Sequence, residues 1–353
     1  MRGVILAAGY GTRLWPLTED RTKPAIPFLN RPLIAYSVEY LASHGFKDII
    51  INLHHQPESV RQAVSDGRSL GACVTYSFEE EILGTSGALD RVRDLLTDDD
   101  FAVVNGKIVT SIDLCTAFAH HKQRGALATL ILKPNHARER FSVVHVGSSD
   151  RVTGFGGFPE PISLRPDEGR DEGAGRPILR QSGPPPDVHL VPPPEEAPLM
   201  FTGIQVLSPR IFDYIPRNRF SHSTVDVYPK AIEAGELVLA HVSDGDWFEV
   251  STLERYLEAS LAFLHNQGRN IVCGPDTVIE DSVGVVDSVI WSRARIERGA
   301  TLKYTVVGDG VTVLAGSNIQ HAVVVRRDIV TKVERGEIVG DNLIVPLAIG
   351  GRE

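Results

Sequence analysis

Leu6-Ala7-Ala8-Gly9-Tyr10-Gly11-Thr12-Arg13-Leu14-Trp15-Pro16-Leu17-Thr18 completes the apolar run Val4-Ile5-Leu6, and the reading of this junction decides how the first half of the chain folds. A short aliphatic strand that runs into small residues and two glycines makes a turn whose backbone N–H groups can approach an anion closely. It is not a dinucleotide fingerprint, because Leu14 stands where the third glycine would be, and not a P-loop, because no Gly-Lys-Ser/Thr follows. Two glycines alone also suit a plain tight turn. Arg13 adds a forked donor fitted to phosphate oxygens, and Lys23, in Thr22-Lys23-Pro24-Ala25-Ile26-Pro27, brings a second cation to the same turn.

Working outward from this turn, Pro32 opens a helical pattern through Leu33, Ile34, Tyr36, Val38 and Leu41. Apolar, β-branched runs at 47–53, 72–76, 101–104 and 128–132 alternate with helical patterns, which predicts an α/β, Rossmann-like layer with a mixed, mainly parallel sheet. Residues 159–198 interrupt the pattern with half of the 22 prolines and almost no aromatics, and read as a disordered insertion. The α/β texture resumes at Leu199-Met200-Phe201 and continues through a helix at 224–234, a strand at 237–242 and a helix at 253–264.

A repeat begins near residue 271. Val278-Ile279-Glu280-Asp281-Ser282-Val283 aligns with Arg295-Ile296-Glu297-Arg298-Gly299-Ala300 and Thr312-Val313-Leu314-Ala315-Gly316-Ser317; Ser288-Val289-Ile290, Thr305-Val306-Val307 and Ala322-Val323-Val324 align too. Short β-branched stretches broken by Gly or Asp suit a solenoid that buries its aliphatic rows by stacking, whereas a small β-sandwich has no reason to repeat at fixed register. A C-terminal left-handed parallel β-helix is therefore expected over 269–330, after an α/β domain over 1–268 and before a tail at 331–353. Its exposed edges are the expected surface for a homo-oligomer.

The bulk composition narrows the function. With 353 residues, 42% hydrophobic and 23% charged, the chain has the material for two globular cores. A formal charge of −9 and the lack of any Lys/Arg run argue against nucleic acid or a membrane surface as partner. Cys73, Cys115 and Cys273 lie too far apart for a C-x-x-C site and read as buried free thiols. The stretch from Val4 to Ala8 is too short for a signal segment and no run approaches a membrane span, so a cytoplasmic address is expected.

The string from Leu6 to Thr18, with the Lys23 segment after it, resembles the sugar-1-phosphate nucleotidylyltransferases, whose signature runs L-A-A-G-x-G-T-R-L-x-P-L-T and then P-K-P-x-x-P. The resemblance implies that residues 6–13 (Leu6, Ala7, Ala8, Gly9, Tyr10, Gly11, Thr12 and Arg13) wrap a nucleoside triphosphate, that Arg13 and Lys23 hold its phosphates, and that a sugar 1-phosphate attacks the α-phosphorus and expels pyrophosphate. Gly84 and Thr85, in Leu83-Gly84-Thr85-Ser86-Gly87-Ala88-Leu89, look like the base-reading loop. Thr202 and Gly203, in Phe201-Thr202-Gly203-Ile204, look like the sugar-contacting strand, joined by Asn105 and by Asp226 in a D-x-x-P element. The β-helix is shared with mannose-1-phosphate guanylyltransferases, so mannose 1-phosphate and GTP are the first expectation.

Three departures bear on the chemistry. Where the family carries N-G-D, with the Asp holding a catalytic Mg²⁺, this chain reads Asn105-Gly106-Lys107. The second family Asp falls at Glu249 in Trp247-Phe248-Glu249-Val250-Ser251-Thr252, and the E-K-P lysine that would contact the sugar phosphate is missing near Phe158. Two readings stay open. Glu249 holds Mg²⁺ with phosphate oxygens while Lys107 acts catalytically as the missing clamp, or Lys107 repels the metal and leaves a silent NDP-sugar-binding regulator. His120-His121 ends a helical pattern, where an imidazolium suits the helix C-terminus, and Asp113 reads as a helix cap.

Overall fold

Apolar β-branched runs of four to nine residues build the central sheet of the computed structural model, which describes residues 1–158 and 197–348. β1 (Arg2–Leu6) lies at the centre, parallel to β2 (Asp48–Leu53) on one side and to β4 (Phe101–Asn105) on the other, with β3 (Cys73–Phe78) at the edge beyond β2. Helices α1 (Leu33–Ser43), α2 (Pro57–Val64) and α3 (Gly84–Arg91) lie in the connections. The register sets Leu6 against both Asn52 and Asn105, so three strand ends open along one line. Carboxyl ends of parallel strands are where such sheets hold ligands.

The second half of the sheet corrects the expectation of a mainly parallel one. β9 (Leu199–Leu207) runs antiparallel to β4, to β6 (Ala128–Pro134) and to β7 (Val143–Val146), and β8 (Val152–Gly156) is antiparallel to β7. Only β10 (Val238–Val242), beside β6, adds another parallel pair. The chain re-enters at Leu199 from the far end of the sheet and slots between strands already laid down, which reverses its direction. The expected insertion at 159–198 lies outside the described residues except for Ala197 and Pro198, and the Pro198 carbonyl accepts the Asn135 N–H at 2.8 Å. A two-stranded ladder of β5 (Ile108–Thr110) with β11 (Trp247–Glu249) pairs Glu249 with Ile108 beside the sheet's open end.

After α5 (Tyr228–Glu233), helix α6 (Leu253–Asn266), capped by the Thr252 hydroxyl on Arg255 N–H, leads into the repeat region. Parallel strands there stack at a constant offset of 17 residues: Val289 faces Val306, Val306 faces Val323, and Val278, Arg295 and Thr312 follow one another in a second ladder. These are the pairings that the self-alignment predicts. Ile290, Ile296, Leu302, Val307, Val313 and Val324 fill the interior, and Asn342–Pro346 closes the last strand antiparallel. On the other side, Val289, Trp291, Val306 and Val323 share one apolar cluster with Tyr256, Leu257 and Leu261 of α6 and with Leu14, Trp15 and Leu17 behind the Gly9–Gly11 turn.

Two further expectations are overturned. All three cysteines are exposed, because Cys73 and Cys273 face outward on strands and Cys115 lies in an open first helical turn. His121 is buried with its Nδ1 on the Thr129 hydroxyl at 2.9 Å, and burial pulls its pKa down to about 4 against the attraction of Asp100. It is a neutral core imidazole rather than an imidazolium complementing the helix end. Asp113 does cap α4 (Leu114–Arg124), accepting from Cys115 N–H at 2.9 Å. Among the described residues no helix is long and apolar enough to cross a membrane.

Candidate active site

The turn after β1 is held from behind. Ala7 N–H donates to Asn52 Oδ1 at 2.7 Å, Asn52 Nδ2 donates to Glu79 Oε1 at 2.7 Å, and Glu79 Oε2 accepts Leu83 N–H at 3.0 Å. The Glu79 carbonyl takes His54 Nδ1–H at 2.9 Å, which leaves Nε2 to accept from the Tyr10 hydroxyl at 3.1 Å. A buried carboxylate thus ties the turn to the segment that carries Gly84 and Thr85. Neither Asn52 nor Glu79 belongs to a motif. The one available signal is a polar Asn at the end of the run Ile49-Ile50-Ile51, and three adjacent glutamates hide which of them is buried.

After Ala7, the next N–H bonded to protein is that of Leu14, which donates to Gly11 O at 2.9 Å; the N–H groups of residues 8–13 meet no acceptor among the described residues. Gly11 has φ 73°, and a Cβ there would stand 2.9 Å from Lys23 Cβ, so glycine lets the Lys23 segment close onto the turn. A row of free donors with Lys23 alongside and Arg13 at its end has the chemistry to cradle an anion. Leu6 is the last residue of β1, and its carbonyl accepts Gly106 N–H at 2.9 Å.

The facing wall begins at Asn105. Gly203, at φ 81°, lies beside it so closely that a Cβ would fall 2.1 Å from Asn105 Nδ2. Thr202 turns its hydroxyl away, onto Ile131 O at 2.7 Å, while its carbonyl accepts Trp247 Nε1–H at 2.9 Å. Val250 N–H donates to Lys107 O at 2.9 Å, and this places the two altered family positions side by side: Lys107 Nζ is ion-paired with Glu249 Oε1. Arg255 Nη1 stands 4.0 Å from the other Glu249 oxygen, while its Nη2 is paired with Glu139 at 2.5 Å. Burial pushes the Glu249 carboxyl up, but Lys107, backed by Arg255 and Lys23, outweighs it and holds the group below the usual carboxylate range. Burial, together with Lys107 and Arg13, pulls the Lys23 ammonium down to about 8 against the attraction of Glu249.

The remaining predicted residues lie on the third side. Gly84 opens α3 at φ 78°, where a Cβ would meet Ser221 O at 2.4 Å, and the Thr85 hydroxyl accepts Ser223 N–H at 2.9 Å. Asp226 spends an oxygen on His222 N–H, at 2.7 Å within its own π-helical turn, and so shapes the segment that packs on Gly84.

The Nucleotidyl transferase family profile matches residues 2–266. The chain belongs to that family. The family expected from the Leu6–Thr18 string is thereby met. Among its relatives, a protein of Synechocystis sp. named UTP--glucose-1-phosphate uridylyltransferase is 28% identical over 335 residues, 90% of this chain and 78% of the relative. A mannose-1-phosphate guanylyltransferase of Mycobacterium tuberculosis is 25% identical over 329 residues, 90% of this chain and 82% of the relative. A crystal structure from Bacillus anthracis, provisionally described as a glucose-1-phosphate thymidylyltransferase in complex with a sucrose, superposes with a TM-score of 0.58 at 22% identity. It covers 74% of this chain and 94% of that one, a likeness of fold.

Proposed function

We propose that the chain transfers a nucleotidyl group from an NTP to a sugar 1-phosphate, giving an NDP-sugar and pyrophosphate. The observation that carries this reading is the row of free N–H groups over residues 8–13, closed by Lys23 and facing Asn105 and Gly203 across the ends of β1 and β4. The donors and Arg13 orient the triphosphate and take up charge on its oxygens. The sugar phosphate oxygen forms its bond to the α-phosphorus as the bridging bond to the β-phosphate breaks, and pyrophosphate leaves with that electron pair. Lys23 offsets charge at the α-phosphate, Gly84 and Thr85 border the base, and Asn105, Gly203 and Asp226 frame the sugar. Mannose 1-phosphate with GTP and glucose 1-phosphate with UTP are the first pairs to test, since relatives that each cover nine-tenths of the chain bear those names.

Magnesium is the cofactor that the family resemblance implies, with Glu249 as its candidate ligand. The donor set does not fit it: Glu249 is the lone carboxylate at the two metal positions, one of its oxygens is held by Lys107, and Arg255 flanks the other. No step is assigned to a protein-held metal. The same reading divides the chain at 268 and 330 and takes 269–330 as a left-handed β-helix, supported by the 17-residue strand register, with its edges as a surface for self-association. Pyrophosphate release against a matrix of NTPs and sugar 1-phosphates tests the function. Turnover with one pair names the substrates; silence throughout, in protein that binds nucleotide, replaces this reading with that of a regulatory NDP-sugar binder.

A further inference from the structure

Residues 107 and 249 are the two positions at which the family pattern has metal-binding carboxylates, and their changes are matched in space. The β5–β11 ladder, with Val250 N–H on Lys107 O, brings both side chains out on the same side with backbone bonds already made. The Glu249 side chain is 6% exposed and that of Lys107 28%, so the ammonium covers the carboxylate from the solvent side of the cleft. A divalent ion at Glu249 would have to expel this ammonium, and would then share the pocket with Lys107 and Lys23 against Glu249 alone, Arg255 being matched by Glu139. A longer acidic arm opposite a cation, where the family has two short carboxylates, makes an internal pair and not a cage for an octahedral ion.

Lys107, fixed by Glu249, is by this geometry a built-in cation standing in for a protein-held divalent ion, and we infer that the chain binds the diphosphate of an NDP-sugar without metal. With Arg255 matched by Glu139, the groups facing the cradle are Lys23, Lys107 and Arg13 against Glu249, two positive charges in excess. That surplus equals the charge of a nucleoside diphosphate ester. The ammonium is held by Glu249 before the ligand arrives, so it neutralises charge with little reorganisation, as a preorganised site must. For its ligand the inference rests on the nucleotidyl-transfer reading; its metal half stands alone.

The test uses the full chain and two readouts besides turnover. In a Mn²⁺ titration followed by electron paramagnetic resonance, the wild-type protein leaves the ion free and Lys107→Asp, verified as folded by circular dichroism, gains a site. In calorimetric titrations with GDP-mannose and UDP-glucose as probes, the affinity of the bound nucleotide changes by less than about twofold between Mg²⁺ and a chelator in wild type. Lys107→Met, which keeps the stem and removes the charge, loses about tenfold or more under both conditions, the scale of one charge-assisted contact. Mn²⁺ binding by wild type that disappears in Glu249→Gln overturns the inference. So does a tenfold loss of nucleotide affinity in chelator, wild-type affinity in Lys107→Met, or failure of Lys107→Asp to gain a site. If neither nucleotide binds, the proposed function falls while the Mn²⁺ titration still decides the metal question.

Discussion

The two walls of the cleft follow the family pattern to different degrees. The residue 6–13 wall keeps the family string and presents its backbone: free N–H groups, a glycine at positive φ, and a buried Asn52–Glu79 brace behind. The Lys107–Glu249 wall presents side chains, and there the string has changed at both positions. A backbone cradle can be altered only by refolding the turn, whereas a side-chain pair can exchange one charge arrangement for another on the same ladder. The comparison teaches that the conformation of the site is held by its glycines and strand ends, while its electrostatics are open to revision.

The sharpest way to break the comparison is Gly203→Ala. A Cβ 2.1 Å from Asn105 Nδ2, at a φ of 81° that disfavours any side chain, must drive Asn105 out of place. Turnover is expected to fall by about two orders of magnitude or more, as for a misplaced positioning group, with nucleotide affinity less affected. Next is Lys23→Met, which removes a cation from the cradle and should weaken nucleotide binding by about 10- to 100-fold, measured by calorimetry. Asn52→Leu leaves the Ala7 N–H and a buried Glu79 oxygen unpaired, at a cost of about 1–3 kcal/mol in stability. Denaturant titration should show that loss, with affinity down about tenfold as the turn loosens; unchanged affinity would uncouple the brace from the cradle.

A last effect is in pH dependence, away from the cleft. The pKa of His121 is depressed from 6.5 to about 4 in the folded chain, so below pH 6.5 the unfolded chain takes up a proton that the folded chain refuses. Stability present above pH 6.5 is therefore lost as pH falls from there toward 4. His121→Gln should flatten that part of the unfolding profile, and an unchanged slope would remove His121 as its cause.

Local patterns were legible to different extents. The 17-residue ladders could be read because a repeat shows its own register: aligning Val289, Val306 and Val323 in sequence is aligning them in space. The turn after β1 was legible because its glycines and cations are contiguous. The brace was not, since Asn52 and Glu79 are 27 residues apart and nothing local distinguishes Glu79 from Glu80 and Glu81. Nor could the antiparallel entry of β9 be read, because an apolar run such as Leu199–Leu207 suits either direction and only its neighbours decide. Lys107 and Glu249 were each visible as departures, but their meeting depends on a ladder between segments 142 residues apart.

The cluster shared by Trp15, Tyr256 and Trp291 also bears on protein engineering. Tyr256 donates its hydroxyl to Pro27 O at 2.6 Å and accepts Trp291 Nε1–H at 2.8 Å, while Arg21 reaches Asp309 at 2.8 Å. The C-terminal ladders are thus the foundation on which the far end of the cradle rests. A truncation after α6 would strip the supports from beneath Leu14 and Leu17, so this chain is a poor source for a minimal catalytic cassette, and grafting its repeats elsewhere would carry half of an interface with them.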